Sequence, residues 1–130
     1  MIKVTIIDDS RIIGERLSIM LNDIDEIMVT GQATNASDGL ELVRASKPDF
    51  VVLDINLPDT SGLEIIKDIK NMDPEIMIAM LTNYPYPGYR TRSKDLGADY
   101  FFDKSKEFGK LIETLTELAR IKNEIGRAHV

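Results

Sequence analysis

Apolar positions along this chain alternate between two spacings. Ile2 to Ile7 is a loose, β-rich alternation that ends at Asp8-Asp9. Ile13, Leu17, Met20 and Leu21 follow at i, i+4, i+7 and i+8, one face of a helix with Ser10 at its N-cap. Asn22-Asp23 break that helix, and Ile27 to Gly31 predicts a short second strand. Asn35 caps a helix presenting Ala36, Leu40 and Val43, and Pro48 closes the connection. Asp49 to Leu53 predicts a third strand, apolar on both faces and therefore buried on both. Ser61 and Glu64 fit a capping box for a helix whose buried stripe is Ile65, Ile66, Ile69 and Met72. After Pro74, Glu75 to Leu81 predicts strand four, stopping at Thr82-Asn83. Two prolines and a glycine between Tyr84 and Tyr89 predict a loop before a short, polar helix from Tyr89 to Leu96, with Gly97 as its C-terminal cap. Asp99 to Asp103 predicts strand five, followed directly by Lys104. Phe108, Leu111, Ile112, Leu115, Leu118 and Ala119 make the stripe of a long last helix. From Lys122 to Val130 the pattern fades into a frayed end or a helical extension.

Five strand–helix units in succession predict an α/β fold, a parallel sheet with helices on both faces. At 130 residues and 43% hydrophobic, the chain has room for one core and one domain. The net charge of −6 argues against non-specific nucleic-acid binding by the chain alone. With no Cys there is neither a disulfide framework nor a thiolate metal site, and the cytoplasm is the expected compartment. No apolar run approaches the roughly 20 residues of a membrane span, and the N-terminus enters a strand without the pattern of a signal peptide.

The polar residues at the strand ends carry the chemistry. Parallel strands bring their carboxyl ends to one edge of the sheet, where open α/β sheets bind ligands. Asp8 and Asp9 end strand one, Asp54 strand three, Thr82 strand four and Lys104 strand five. Three carboxylates in one crevice repel one another, and a hard divalent cation relieves that repulsion. Mg²⁺ suits Asp8 or Asp9, Asp54 and a backbone carbonyl near Asn56. Lys104 adds a point charge for a phosphate, and Thr82 a hydroxyl. Such a site is equipped to accept a phosphoryl group on a carboxylate, with Asp54 the candidate because it lies on the central strand.

Asp8-Asp9, Asp54 with Asn56, Pro58 and Gly62 after it, Thr82, and Lys104 three residues beyond Phe101 together resemble a response-regulator receiver domain. The resemblance covers about Ile2 to Ile121. It implies a flavodoxin-like five-stranded sheet of order 2-1-3-4-5. A receiver would occupy residues 1–122, with 123–130 a C-terminal tail in which His129 has no role. The resemblance implies phosphotransfer to Asp54 from a sensor histidine kinase or phosphotransfer protein. Mg²⁺ would be held by Asp9, Asp54 and the main chain of Asn56, with Asp8 in support. It implies a switch in which Thr82 swings toward the phosphoryl group and Phe101 turns inward. The face of helix four, strand five and helix five would then change its affinity for a downstream output protein or domain, or for a second copy of the chain.

Three positions depart from the family's commonest pattern. Asn83 replaces a small residue, Ser105 replaces a proline after the lysine, and Phe101 replaces a tyrosine. They tune a switch rather than abolish it. The methionines read as packing, and the tyrosines of residues 84–89, taken as exposed, read as a docking loop. The alternatives are a receiver cut from a longer DNA-binding transcription regulator, a metal-dependent phosphatase, a nucleotide-binding domain or a degenerate interaction module. A phosphatase would want a second acid two residues after Asp54, where Asn56 stands. A nucleotide fold would want a glycine-rich loop where Asp8-Asp9 stand. A degenerate receiver would lack key residues that are all present here. The expectation is a signalling switch, not an enzyme, acting on neither membrane nor nucleic acid directly.

Overall fold

The computed structural model describes the backbone of residues 1–128 and the side chains of residues 1–125. Its elements run β1 (Ile2–Ile7), α1 (Arg11–Asn22), β2 (Ile27–Ala33), α2 (Ala36–Ser46) and β3 (Phe50–Leu53). A 3-10 turn (Gly62–Ile65) leads into α3 (Ile66–Met72), then β4 (Met77–Thr82), α4 (Pro87–Leu96), β5 (Tyr100–Asp103) and α5 (Phe108–Ala128). All strand pairs are parallel, in the order β2-β1-β3-β4-β5. The parallel sheet is the one expected from the alternation of periods, and its strand order is the one the receiver-domain resemblance implies.

The period-2 alternation of the strands splits the core into two layers. Val4, Ile6, Phe50, Val52, Ala79, Leu81 and Phe102 point to the layer closed by Leu17 and Leu21 of α1 and Leu111 and Leu115 of α5. Ile7, Val51, Leu53, Ile78, Met80 and Phe101 point to the other layer, closed by Val43 of α2 and Ile66 and Ile69 of α3. Each central strand thus buries both faces, which is why the runs at β3 and β4 are apolar without interruption.

Several boundaries and packings differ from those expected. Ser61 and Glu64 do not close a capping box. Ser61 Oγ accepts from Leu63 N at 3.2 Å, and the Glu64 carboxylate pairs with Arg92 at 3.2 Å. The cause is the 3-10 turn: Glu64 N already donates to Ser61 O at 3.0 Å, an i→i+3 bond that forestalls the box geometry. Met20 is exposed, because the buried stripe of α1 is Gly14, Leu17 and Leu21 and Met20 lies roughly a quarter-turn off its centre at 3.6 residues per turn. Helix α4 starts two residues earlier than expected, with Pro87 in its first turn, where a fixed φ and a missing N–H cost nothing. Of the tyrosines taken as exposed, Tyr84 and Tyr86 are, whereas Tyr89 is half-buried against the α3 layer. Strands β3 and β5 begin one residue late, and Asp49 and Asp99, just before them, serve as side-chain acceptors. Asp49 takes Lys3 N at 2.8 Å, and Asp99 takes Ile78 N at 2.8 Å. Helix α5 continues past Lys122 to Ala128 without a break. His129, to which the sequence assigns no role, lies outside the described residues.

Candidate functional site

The carboxyl ends of the neighbouring strands β1 and β3 place the acidic residues. Asp8 N continues the β1 ladder onto Ala33 O at 3.0 Å, and Asp54 N bonds Ile7 O at 2.9 Å, so the first acidic pair and Asp54 leave the sheet side by side. Lys104 N bonds Thr82 O at 2.8 Å, which brings the residue after β5 to the same edge. Asp8, Asp9 and Asp54 each offer a carboxylate oxygen, and these oxygens lie within 4.8 Å of one another. Lys104 reaches across to both inner carboxylates: Nζ is 2.7 Å from Asp8 Oδ2 and 3.3 Å from Asp54 Oδ2. Asp9 stays exposed, whereas Asp8 and Asp54 are buried.

Backbone donors orient the two inner carboxylates. Asp8 Oδ1 accepts from Ser10 N at 2.8 Å, and Asp54 Oδ1 from Asn56 N at 3.1 Å. Each aspartate thereby keeps one oxygen turned inward, toward the lysine. The group opens into a cleft of about 580 Å³ lined by Asp9, Ser10, Ile13, Asp54, Asn56, Asn83, Tyr84, Lys104 and Ser105.

A profile of the response regulator receiver domain matches residues 4–116. The chain belongs to the response regulator receiver domain family. It is 30% identical over 118 residues to the response regulator GacA of Pseudomonas aeruginosa, covering 91% of this chain and 55% of that protein. It is 30% identical over 124 residues to the transcriptional regulatory protein DesR of Bacillus subtilis, covering 93% of this chain and 61% of that protein. The chain therefore spans a little over half the length of these curated relatives. In fold it matches a CheY-like receiver domain protein from Methanospirillum hungatei with a TM-score of 0.84 at 22% identity, covering 95% of this chain and 98% of that one. The phosphoacceptor signalling character of receivers applies to the chain at that level.

The receiver's electrostatics follow from burial. Asp54 is pushed up to about 7, first by burial and then by the Asp8 charge, against the opposing pull of Lys104 and of Asn56 N–H. Burial pulls the Lys104 ammonium down, but the Asp8 and Asp54 carboxylates outweigh it and leave its pKa raised. Asp8 Oδ2 is buried and faces the Lys104 ammonium at 2.7 Å, a group it shares with Asp54. Two buried carboxylates sharing one ammonium, beside a third carboxylate, are a donor set with capacity for a hard cation.

Thr82 and Phe101 stand apart from the cleft lining. Thr82 is fully buried at the end of β4, and its Oγ1 accepts from Tyr84 N at 3.1 Å. Phe101 is packed into the α3 layer, with the Arg90 guanidinium 4.6 Å from its ring centroid and Arg90 Nη1 3.4 Å from its carbonyl. The same arginine lies 3.9 Å from Glu107 Oε1, which accepts from Asp103 N at 3.0 Å. Sequence reasoning placed no role on Ser10 Oγ, Ile13, Tyr84 or Ser105 at the cleft. Their only signal is nearness in sequence, within four residues, to Asp9, Thr82 or Lys104, and nearness alone does not say which way a side chain turns.

Proposed function

We propose that the chain is a phosphoacceptor switch: Asp54 takes a phosphoryl group from the phosphohistidine of a sensor kinase or phosphotransfer protein, with Mg²⁺ bound. The reading rests on one observation, the convergence of Asp8, Asp9 and Asp54 with the Lys104 ammonium in one open cleft. In the step, an Asp54 carboxylate oxygen attacks phosphorus and an O–P bond forms. The N–P bond breaks, and the imidazole leaves with the electron pair and takes up a proton. Lys104 faces the acceptor carboxylate and stabilises charge on the transferred oxygens. Asp9, Asp54 and the Asn56 carbonyl would hold the cation, with Asp8 behind them. When bound, Mg²⁺ neutralises negative charge on the phosphoryl group.

Thr82 and Phe101 carry the response in this reading. The Thr82 hydroxyl exchanges the Tyr84 N–H for the phosphoryl group, and the Phe101–Arg90 contact transmits the change to the face of α4, β5 and α5. That face would bind a downstream output protein or domain, or a second copy of the chain. Residues 1–122 form the receiver in this reading and 123–130 its tail; the site sits in the cytoplasm, where kinase phosphohistidine is met. Among the described residues no helix is long and apolar enough to cross a membrane.

A second reading keeps the same chemistry inside a longer transcription regulator. It is favoured by the relatives' extra length and by the name of DesR. Acetyl phosphate with Mg²⁺ tests the acceptor chemistry common to both. Intact-mass measurement should show one added phosphoryl group on the wild type and none on Asp54→Asn; labelling that survives the substitution removes Asp54 from the acceptor role.

A further inference from the structure

Asp59 sits at the exposed tip of the loop that follows Asp54, and it caps a helix it does not belong to. Its Oδ1 accepts from Ala36 N at 2.8 Å and its Oδ2 from Ser37 N at 3.0 Å, the first two N–H groups of α2. Helix α2 already has its own cap, Asn35, whose Oδ1 takes Asp38 N at 2.8 Å. The two aspartate bonds therefore satisfy donors the local cap leaves free. They also hold the Asp59 carboxyl below the usual carboxylate range, Ala36 N–H first.

The base of the same loop is clamped separately. Asn56 and Ser61 form an antiparallel bridge, and Gly62 N bonds Ile55 O at 2.6 Å. The loop thus has a closed base and a tip tied to α2. That helix is in turn keyed to β1: a Cβ on Gly39 would stand 2.7 Å from Ile7 Cδ1, so α2 lies against the residue that precedes Asp8. One helix consequently registers both halves of the carboxylate group, Asp8-Asp9 through Ile7 and Asp54 with Asn56 through Asp59.

We propose that Asp59 is a positioning residue: by bonding the α2 N-terminus it sets the Asn56 carbonyl and the Asp54 carboxylate at the spacing a divalent cation needs. It touches neither the cation nor the phosphoryl group. The inference rests on the acceptor reading of Asp54 given above.

The test compares Asp59→Ala, Asp59→Asn and Asn35→Ala in the full chain, by calorimetric titration with Mg²⁺ at pH 8 and by urea denaturation in chelator. If Asp59 sets the spacing of the ligands, Asp59→Ala should weaken Mg²⁺ binding by about tenfold, the low end of what losing a group that orients ligands costs. Asp59→Asn, which keeps one acceptor oxygen, should fall between. Asn35→Ala removes a cap on the same helix and should lower stability comparably while leaving Mg²⁺ affinity within about twofold. Labelling by acetyl phosphate should slow in Asp59→Ala at limiting Mg²⁺ and recover at saturating Mg²⁺. Unchanged affinity in both Asp59 variants, or an equal loss in Asn35→Ala, overturns the proposal alone. A wild type that binds no Mg²⁺ overturns the acceptor reading and this proposal with it.

Discussion

Lys104 Nζ and Asp54 Oδ2 stand 3.3 Å apart, with Asp8 Oδ2 2.7 Å from the same nitrogen. One ammonium therefore balances two buried carboxylates, and they compete for it. Replacing it in Lys104→Met leaves the carboxylate group without its facing cation. Labelling by acetyl phosphate at saturating Mg²⁺ should slow by about 100-fold, the usual cost of losing one charge-stabilising donor. The metal-free protein should lose about 2 kcal/mol in urea denaturation, since an unbalanced buried charge is left behind. A labelling rate within a few-fold of wild type would take Lys104 out of the transfer step.

Asp54 makes stability depend on pH in an unusual direction. Its folded pKa, about 7, lies above its ordinary value of 3.8. Between those values the folded state holds a proton that the unfolded state has lost. The group's contribution to stability is thus complete below about 3.8 and is lost as pH rises through about 7. In Asp54→Asn that loss disappears. Allowing for solvent reaching the cleft, the metal-free variant should exceed wild type by about 1–3 kcal/mol at pH 8 and converge with it near pH 4. Mg²⁺ requires the ionised form, so its affinity for wild type should decline as pH falls below 7. Urea denaturation in chelator at the two pH values checks the first statement, and calorimetry the second.

The sheet and its edge were legible because both depend on patterns local to short segments. Strands buried on both faces write continuous apolar runs, and Asp8-Asp9, Asp54 and Lys104 stand where those runs stop. Helix starts were less legible. Pro87 reads as a breaker until the residue before it is seen to be non-helical, and Ser61-Glu64 reads as a capping box until the turn tightens to 3-10. Asp59 was invisible for a different reason. Its partners, Ala36 and Ser37, are more than twenty residues away and contribute only backbone N–H groups, which every residue but proline carries. The direction of the Thr82 hydroxyl was equally unreadable, since it depends on a single torsion.

The bond from Tyr84 N to Thr82 Oγ1 links Thr82 to the tyrosines. Tyr84 stacks on Tyr86 with centroids 6.2 Å apart, and Tyr86 meets Tyr89 edge-on at 5.5 Å. The chain has four tyrosines and no Trp, so three of its four fluorophores of this kind stand in that group. If the Thr82 hydroxyl turns to an occupied acceptor, Tyr84 N–H is released and the stack changes. Beryllofluoride with Mg²⁺ should therefore alter tyrosine emission in wild type. Thr82→Ala should lose about 1 kcal/mol, the worth of a neutral hydrogen bond, and show most of the altered emission before any ligand is added. Emission that responds equally in both proteins would place the signal elsewhere.

Two glycines separate a packing requirement from a helix preference. A Cβ at Gly62 would stand 2.0 Å from Asp54 O and 3.1 Å from Ile55 Cα, both in the segment that carries the Asp54 carboxylate. Those are backbone atoms, so no side-chain rotation relieves the overlap, and the loop itself must move. Gly109, in the first turn of α5, would meet nothing within 4 Å. Gly62→Ala should cost about 2 kcal/mol or more, as strain on a fixed backbone does. It should also weaken Mg²⁺ binding, because the displaced segment includes Asp54 and Asn56. Gly109→Ala should instead gain up to about 1 kcal/mol from helix propensity and leave Mg²⁺ binding unchanged. Urea denaturation and Mg²⁺ calorimetry on the two variants separate the effects. Were Gly62→Ala as neutral as Gly109→Ala, the loop after Asp54 would be free to shift, and the cation could not depend on its position.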